Sequence, residues 1–514
     1  MRVIYFLALP VVSAFQLPFK LPFFGSRTAE QQQPLPLASK TRIAIIGAGA
    51  GGTSAAFWIS KAQERFGLNV EVDLYERESY VGGRTVVYPY DNTSLPAVEL
   101  GGSIFIKDNK NMWRAADEFN LTRRDVRDEK GLGIWDGEKL LFTTSGGWWG
   151  WWDSAKALLR YGFQSPRRTQ AVVDDMVKKF LILYSSETPK WDTISNLSSE
   201  LRSTELVSRS TSDYLKSEGV SDIFISELVE ASTRVNYGQN ADEIHALGGL
   251  VSLAPTGASA IEGGNFQVFE QFLRHSKANV YLNTSVKSIS HGASSQWVLE
   301  SDRGSEIYKA IILAAPWKST NIQFPTEIRI PEQPYIHLHV TVFTTTLPSI
   351  PAQSFNLSAS TQVPPMLLTT YEGARNGGKA PKFNSISYHG KISEDEWIVK
   401  IFSKARITNK WLNKIFNGTV GWVHRKEWDA YPVLPPTSTF PNVKLAPGFY
   451  YVNAFEPFIS TMETETLSSR NIVDILLEES FQSGICGGPA VADASAAVII
   501  AAKDSEHYVY GWDC

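Results

Sequence analysis

The stretch "RIAIIGAGAGGTSAAFWI", Arg42 to Ile59, constrains the fold more than any other part of the chain. A β-branched run, Ile43 to Ile46, breaks into Gly47-x-Gly49-x-x-Gly52, and Ser54 to Ile59 then supplies residues that suit a packed helix. Strand, tight turn and helix in that order make one unit of a parallel α/β sheet. Gly47 permits the turn, Gly49 lets backbone approach a pyrophosphate, and Gly52 lets the helix pack closely on the strand. The helix start offers free N–H groups and about half a positive charge to phosphates. A second strand, Val70 to Tyr75, ends on Glu76, where an acid takes ribose hydroxyls and argues against a 2′-phosphate.

Next comes "ESYVGGRTVVYPYDNTSLPAVELGGSIF", with Gly82-Gly83-Arg84 and Glu99-Leu100-Gly101-Gly102-Ser103. A second close-approach glycine pair and a permanently charged, forked donor suit a diphosphate joining two nucleotide-like halves. These residues resemble the FAD-binding half of the flavin amine oxidase superfamily, in which Gly-Gly-Arg lies under the pyrophosphate and an acidic-x-Gly-Gly turn lies beside the flavin. The resemblance implies FAD rather than NAD. It also implies that Val286 backbone meets the adenine, and that Gly101, Gly102, Ser103, Met462 and Glu463 surround the flavin. A helix beginning near Ser460 and Thr461 then aims its N–H groups at the flavin pyrimidine. Only Cys486 and Cys514 are present, so candidates for a covalent flavin thioether are few and non-covalent FAD is expected.

At 514 residues the chain is too long for one core, while 43% hydrophobic and 12% aromatic residues are ample for burial. A formal charge of −4 supplies no basic field for nucleic acid. The expected architecture is α/β. A discontinuous Rossmann-like FAD domain (41–110, 265–318 and 447–484) carries an inserted α+β substrate domain (111–264 and 319–446), and residues 485–514 form a tail. Strands are expected at Val280–Leu282, Val286–Ile289, Gln296–Glu300, Ile311–Ala314 and Phe449–Val452, and a helix at Thr461–Leu477.

Residues 1–15, with Arg2 ahead of a short apolar run, read as a signal peptide, and 16–40, rich in Pro and Gln, as a flexible leader. Sequons at Asn92, Asn120, Asn196, Asn283, Asn356 and Asn417 fit the secretory pathway, with a lysosomal, vacuolar or extracellular destination. The two cysteines permit one disulfide or two free thiols. No His-x-x-x-His, Cys-x-x-Cys or Ser-His-Asp pattern stands out, so no metal site is expected. Oligomeric state is open.

"GGWWGWWDSAKALLRYGF" places Trp148, Trp149, Trp151 and Trp152 ahead of an amphipathic run, which serves either core packing or contact with a membrane surface or greasy substrate. Several longer echoes are more specific: Asn236-Tyr237-Gly238-Gln239-Asn240, Val251-Ser252-Leu253-Ala254, Glu262-Gly263-Gly264-Asn265 and Ser460-Thr461-Met462-Glu463. With "GIWDGEKLLF" and "RYGFQSP", they resemble the prenylcysteine oxidase (prenylcysteine lyase) family from about Arg42 to Leu477.

That resemblance implies a thioether oxidase acting on S-farnesyl- or S-geranylgeranyl-cysteine and O2, in which flavin N5 takes the hydride from carbon 1 of the prenyl group. Little acid–base help is needed, because sulfur and alkene both stabilise the cation. The catalytic residues are therefore unassigned, and Glu262, His245 and Tyr237 are weak candidates for positioning water or the substrate amine. Burying a farnesyl chain contributes on the order of 10 kcal/mol before entropic costs. It calls for an apolar tunnel, for which "IFISELVEAS" and "HLHVTVFTTTL" are the candidate linings. The rival readings are a flavin amine oxidase and a non-catalytic lipid-binding protein of the same fold.

Overall fold

Short strands buried on both faces set the first layer. Thr41–Ile46 pairs in parallel with Val70–Tyr75 on one side and Ala310–Leu313 on the other. Phe449–Tyr451 and Asn279–Tyr281 extend the parallel sheet, and Lys444–Ala446 closes one edge antiparallel. Ile43, Ala44, Ile45, Ile311, Ile312 and Leu313 have no exposed surface, as a parallel sheet covered on both faces requires. The computed structural model describes residues 40–88, 97–126, 131–145, 150–255, 257–487 and 508–514.

The helix Ala50–Phe66 packs between the helices Phe266–Ser276 and Met462–Phe481. Hydroxyls let the last of these approach closely while their hydrogen bonds stay internal. Ser468 Oγ donates to Val452 O at 2.7 Å and Ser469 Oγ to Gly51 O at 2.5 Å. This helix runs past the expected Leu477 to Phe481, and the strand expected at Phe449–Val452 gives way to a 3-10 turn, Val452–Phe455.

A seven-stranded sheet forms the second layer, with strand order Val420–Pro432, Tyr335–Thr345, Glu396–Ser403, Ser385–Ser393, Met366–Thr369, Leu132–Trp135, Leu140–Thr143. Helices between Gly150 and Leu253 flank it. The seven-stranded sheet carries an apolar cluster of its own, with Trp135, Phe343, Ile386, Val399 and Phe416, whereas the helices join the core of the parallel sheet. Tyr161, Leu206, Ile225 and Leu247 from the helices share one continuous apolar cluster with Ile43, Phe57 and Phe455. Residues 40–514 accordingly form a single compact unit.

The C-terminal end is not a trailing tail. Trp512 packs against Phe57, Trp58 and Phe272, and its Nε1 donates to Asn111 Oδ1 at 3.2 Å. Arg65 donates to Gly511 O at 2.9 Å and Arg470 to Tyr510 O at 3.0 Å. A Cys486–Cys514 disulfide, with Cα atoms 5.1 Å apart, fastens the segment, which resolves the choice between bridge and free thiols.

Candidate FAD and active site

A cleft of about 520 Å³ opens at the carboxyl ends of the central parallel strands. Of the expected cofactor residues, Gly47, Gly49, Glu76, Gly83, Arg84, Gly102, Val286 and Met462 line it. Gly52, Gly101, Ser103 and Glu463 do not.

The glycines divide by function. A Cβ on Gly52 would lie 1.9 Å from Gly47 O, so Gly52 keeps helix and strand together rather than facing a ligand. A Cβ on Gly49 would meet nothing nearer than Gly83 Cα at 3.8 Å, so the space before it is open. Gly49 caps the helix without a side-chain bond, which leaves first-turn N–H groups for an anion. Glu76 stands at the end of its strand, accepting from Ala48 N at 2.7 Å and Glu78 N at 2.8 Å, and burial pushes its carboxyl up.

Two polar atoms in the cleft wall test the fit to a dinucleotide: a protonated Glu465 can meet a phosphate oxygen, whereas Asn453 Oδ1, an acceptor, can meet only a ligand hydroxyl. Glu465 Oε1 and Asn453 Oδ1 are buried and lack a hydrogen-bond partner, and both residues line the cleft. Burial and the neighbouring Glu456 hold the Glu465 carboxyl well above its usual range, which favours the protonated form, the one able to donate to a phosphate oxygen. Neither residue was singled out from the sequence. The available clue was an acid in the first turn of a helix otherwise rich in Thr and Ser.

Arg84 departs from expectation in part. It lines the cleft, but its guanidinium pairs with Glu456, which Tyr335 Oη also bonds, and donates to Ala430 O at 3.2 Å. Much of the fork is thus committed to the protein.

At the other end, a Cβ on Gly102 would lie 3.2 Å from Met462 Sδ, and Trp428, Tyr431 and Thr461 complete the wall. Thr461 caps the helix that starts at Met462 through a reciprocal bond pair with Thr464. Gly101 abuts Trp428 behind the turn. Glu463 points away, since successive helical side chains diverge. It accepts from Asn111 N and Met112 N, each at 2.9 Å, and from Tyr184 Oη at 2.7 Å, thereby capping the helix Lys110–Glu118.

None of the three weak catalytic candidates lines the cleft. His245 Nδ1 accepts from Gly248 N at 3.0 Å, so Nε2 bears the hydrogen and donates to Pro457 O at 3.1 Å. Burial lowers it to about 4, and the ring is a neutral helix cap. Tyr237 Oη donates to Ser460 O at 3.3 Å, with its phenol buried beside Tyr431. Glu262 is exposed on a loop whose backbone is held by Thr122 O. The two proposed tunnel segments are core instead. Phe224, Ile225 and Val229 enter the main cluster, and Leu338, Val340 and Val342 pack against Val86, Val98 and Leu100.

His337 and His339, which no sequence motif marks, bring their ring nitrogens within 4.8 Å of one another and of a Glu427 oxygen. Alternation on a strand put both histidines on one face.

Behind the Gly101–Gly102 turn, Lys400 Nζ donates to Glu99 O at 2.8 Å and Asn265 N donates to Glu99 Oε1 at 2.6 Å. Glu99 Oε2 has no partner, and burial pushes the carboxyl up to about 7. A carboxyl raised in the folded state contributes stability that is fully present below about pH 4.5 and is lost as pH rises through 7. Glu99→Gln mimics the protonated acid. Its thermal midpoint, measured from pH 5 to 7.5, is expected to gain on the parent by the equivalent of roughly 2 kcal/mol. Parallel curves would refute this.

Of the sequon residues, Asn92 lies outside the described residues. Asn120, Asn196, Asn283, Asn356 and Asn417 are exposed. Asn120, Asn283, Asn356 and Asn417 adopt positive φ at turns. Trp148 and Trp149, and the side chains of Trp151 and Trp152, also lie outside the described residues.

The family model described as Prenylcysteine lyase matches residues 145–485, and that of an NAD(P)-binding Rossmann-like domain matches 45–119. Farnesylcysteine lyase of Arabidopsis thaliana is 30% identical over 494 residues, covering 92% of this chain and 94% of the relative. The chain belongs to the prenylcysteine lyase family. Prenylcysteine oxidase 1 of Homo sapiens is likewise 30% identical, covering 84% of this chain and 88% of its own. Among solved structures, a CLA-producing fatty acid isomerase from P. acnes shares the fold with a TM-score of 0.59 at 13% identity, covering 87% of this chain and all of its own. Putrescine oxidase does so at 0.55 and 13%, covering 85% of this chain and 99% of its own. These place the chain on the flavin amine oxidase fold, and the cofactor is FAD.

Proposed function

We propose that this chain cleaves S-prenyl-L-cysteine, farnesyl or geranylgeranyl, with O2 and water, to the prenyl aldehyde, cysteine and hydrogen peroxide. The supporting observation is an open nucleotide cleft in a chain that matches, almost end to end, a relative named for farnesylcysteine. FAD, when bound, supplies the two-electron oxidant for the carbon beside sulfur. The chain's own residues bind and orient. Gly49, Gly83 and the first turn of Ala50–Phe66 hold the diphosphate, Glu76 meets the ribose, and Gly102 and Met462 form the wall at the reacting end. Trp428 and Tyr431 narrow that end with aromatic surface that excludes water. Anaerobic addition of S-farnesylcysteine should bleach the flavin, and air should restore it with release of peroxide. Bleaching by simple amines alone would favour the amine oxidase reading.

Peripheral membrane contact extends this proposal. No helix among the described residues is long and apolar enough to cross a bilayer. Yet Leu158, Leu159 (88% exposed) and Phe163 present apolar surface beside Lys156, Arg167 and Arg168. A greasy substrate that partitions into membranes suits such a patch. The Leu159→Glu, Phe163→Glu double variant is expected to lose at least fivefold in binding to anionic vesicles by co-sedimentation. Equal sedimentation would remove the proposal.

We also propose passage through the secretory pathway to a lysosomal, vacuolar or extracellular site, supported by the disulfide and the turn-borne sequons. Mass analysis from the native host should find glycans at Asn120, Asn283 or Asn417 and no residues 1–15. Unmodified asparagines with an intact Met1 would overturn it.

A further inference from the structure

A second cavity, of about 570 Å³, lies away from the FAD cleft, between the Asn236–Asn240 motif and the ends of the strands Ser385–Ser393 and Glu396–Ser403. The motif spans the distance between the two sites. Its Tyr237 packs against Tyr431 of the FAD cleft, and its Asn240 reaches the second cavity. Nothing in the oxidation of a thioether uses that second end.

The cavity is built for negative charge. Arg234, Lys382, Lys404 and Arg406 line it, against Glu243 as the lining carboxylate. Glu243 already accepts from Asn240 N at 3.1 Å and Nδ2 at 3.3 Å. Glu230, behind the wall, is taken up by Arg375 at 2.6 and 2.9 Å. Lys382, Lys404 and Arg406 make no ion pair among the described residues. Arg234, only 4% exposed, is held by neutral oxygens: Thr369 Oγ1 at 3.0 Å, Asn240 Oδ1 at 2.7 Å and Asn384 Oδ1 at 3.3 Å.

Asn384 supplies the second, independent observation. It is 2% exposed, it lines the cavity, and its Nδ2 has no hydrogen-bond partner. Its amide cannot turn over, because that would set NH2 against the Arg234 guanidinium. A buried donor left unpaired is costly, and this one belongs to a wall side chain of a cavity whose cations are only partly offset by Glu243 and Glu230.

We propose that this cavity binds a phosphate-class oxyanion, free or carried as a phosphomonoester. A carboxylate brings one charge and two oxygens, whereas a phosphate brings about −1.5 to −2 and three or more acceptor oxygens, which better match donors converging from several directions. The site is independent of the thioether chemistry, so its test needs no turnover.

The experiment is calorimetric titration of the FAD-loaded full chain with inorganic phosphate, glycerol 3-phosphate and acetate at constant ionic strength. Phosphate or its ester is expected to bind with Kd about 1 mM or tighter. Acetate should bind at least tenfold more weakly. Lys404→Glu, at an exposed position, and the isosteric Asn384→Asp should each weaken phosphate at least tenfold while keeping the flavin spectrum. Tighter binding of the ester than of free phosphate, lost in both variants, supports the esterified source. The converse supports the free ion. No binding by the parent, equal binding of acetate, or unchanged affinity in the folded Lys404→Glu chain overturns the proposal.

Discussion

A Gly49→Val chain is expected to fold and to purify without yellow colour. Gly49 has φ −80° and ψ −168°, extended backbone open to any residue, and its Cβ would touch only Gly83 Cα at ordinary contact distance. The valine methyls then fill the space in front of the first-turn N–H groups, where the diphosphate must lie. Flavin content should fall below about a tenth of the parent's, a loss of 1.4 kcal/mol or more in binding, with circular dichroism unchanged. Gly52→Ala provides the contrast. Its Cβ would meet backbone oxygen at 1.9 Å, so that variant should lose stability before it loses affinity. A folded Gly49→Val protein with full flavin would refute this placement of the cofactor.

The second large effect concerns substrate order. S-farnesylcysteine and a saturated S-alkyl cysteine of equal length bury similar apolar surface and should bind comparably. Only the prenyl compound has an alkene that spreads charge from carbon 1 in the transition state, so the difference belongs to the chemical step. None of the three candidate bases lines the cleft. Single-turnover flavin reduction should differ by about a hundredfold or more, equivalent to about 3 kcal/mol. Comparable rates for the two thioethers would defeat the proposed reaction.

What was legible in the sequence was local. The glycine turn, Glu76 at a strand end and the strands Ile311–Ala314 and Val286–Ile289 all follow from short-range periodicity and turn chemistry, and their positions shift by a residue or two at most. Side-chain direction was not legible. Met462 and Glu463 are neighbours in one motif, yet one faces the cleft and the other caps a different helix. Arg84 reads as a free forked donor until Glu456, remote in sequence, is seen to hold it. Apolar strings such as "HLHVTVFTTTL" fit a tunnel or a core equally well, because hydrophobicity alone does not report what lies opposite. Cationic side chains scattered from Arg234 to Arg406 gave no pattern at all before the fold gathered them.

The anchoring of Trp512 on the helix Ala50–Phe66 has a consequence for biosynthesis. That helix is made long before part of its cover, because the Trp512 ring that packs on Phe57 and Trp58 lies far later in the sequence. The sheet strand Phe449–Tyr451 and the buried helix Met462–Phe481 also arrive late. Folding domain by domain from the N-terminus during synthesis is therefore closed to this chain. The nucleotide-binding half keeps part of its aromatic surface uncovered until Trp512 has been made and has docked on it. Chains cut short before Trp512 keep the packing of Phe272 on Phe57 and Trp58 but lose the indole that covers both, and so become clients of chaperones or proteases.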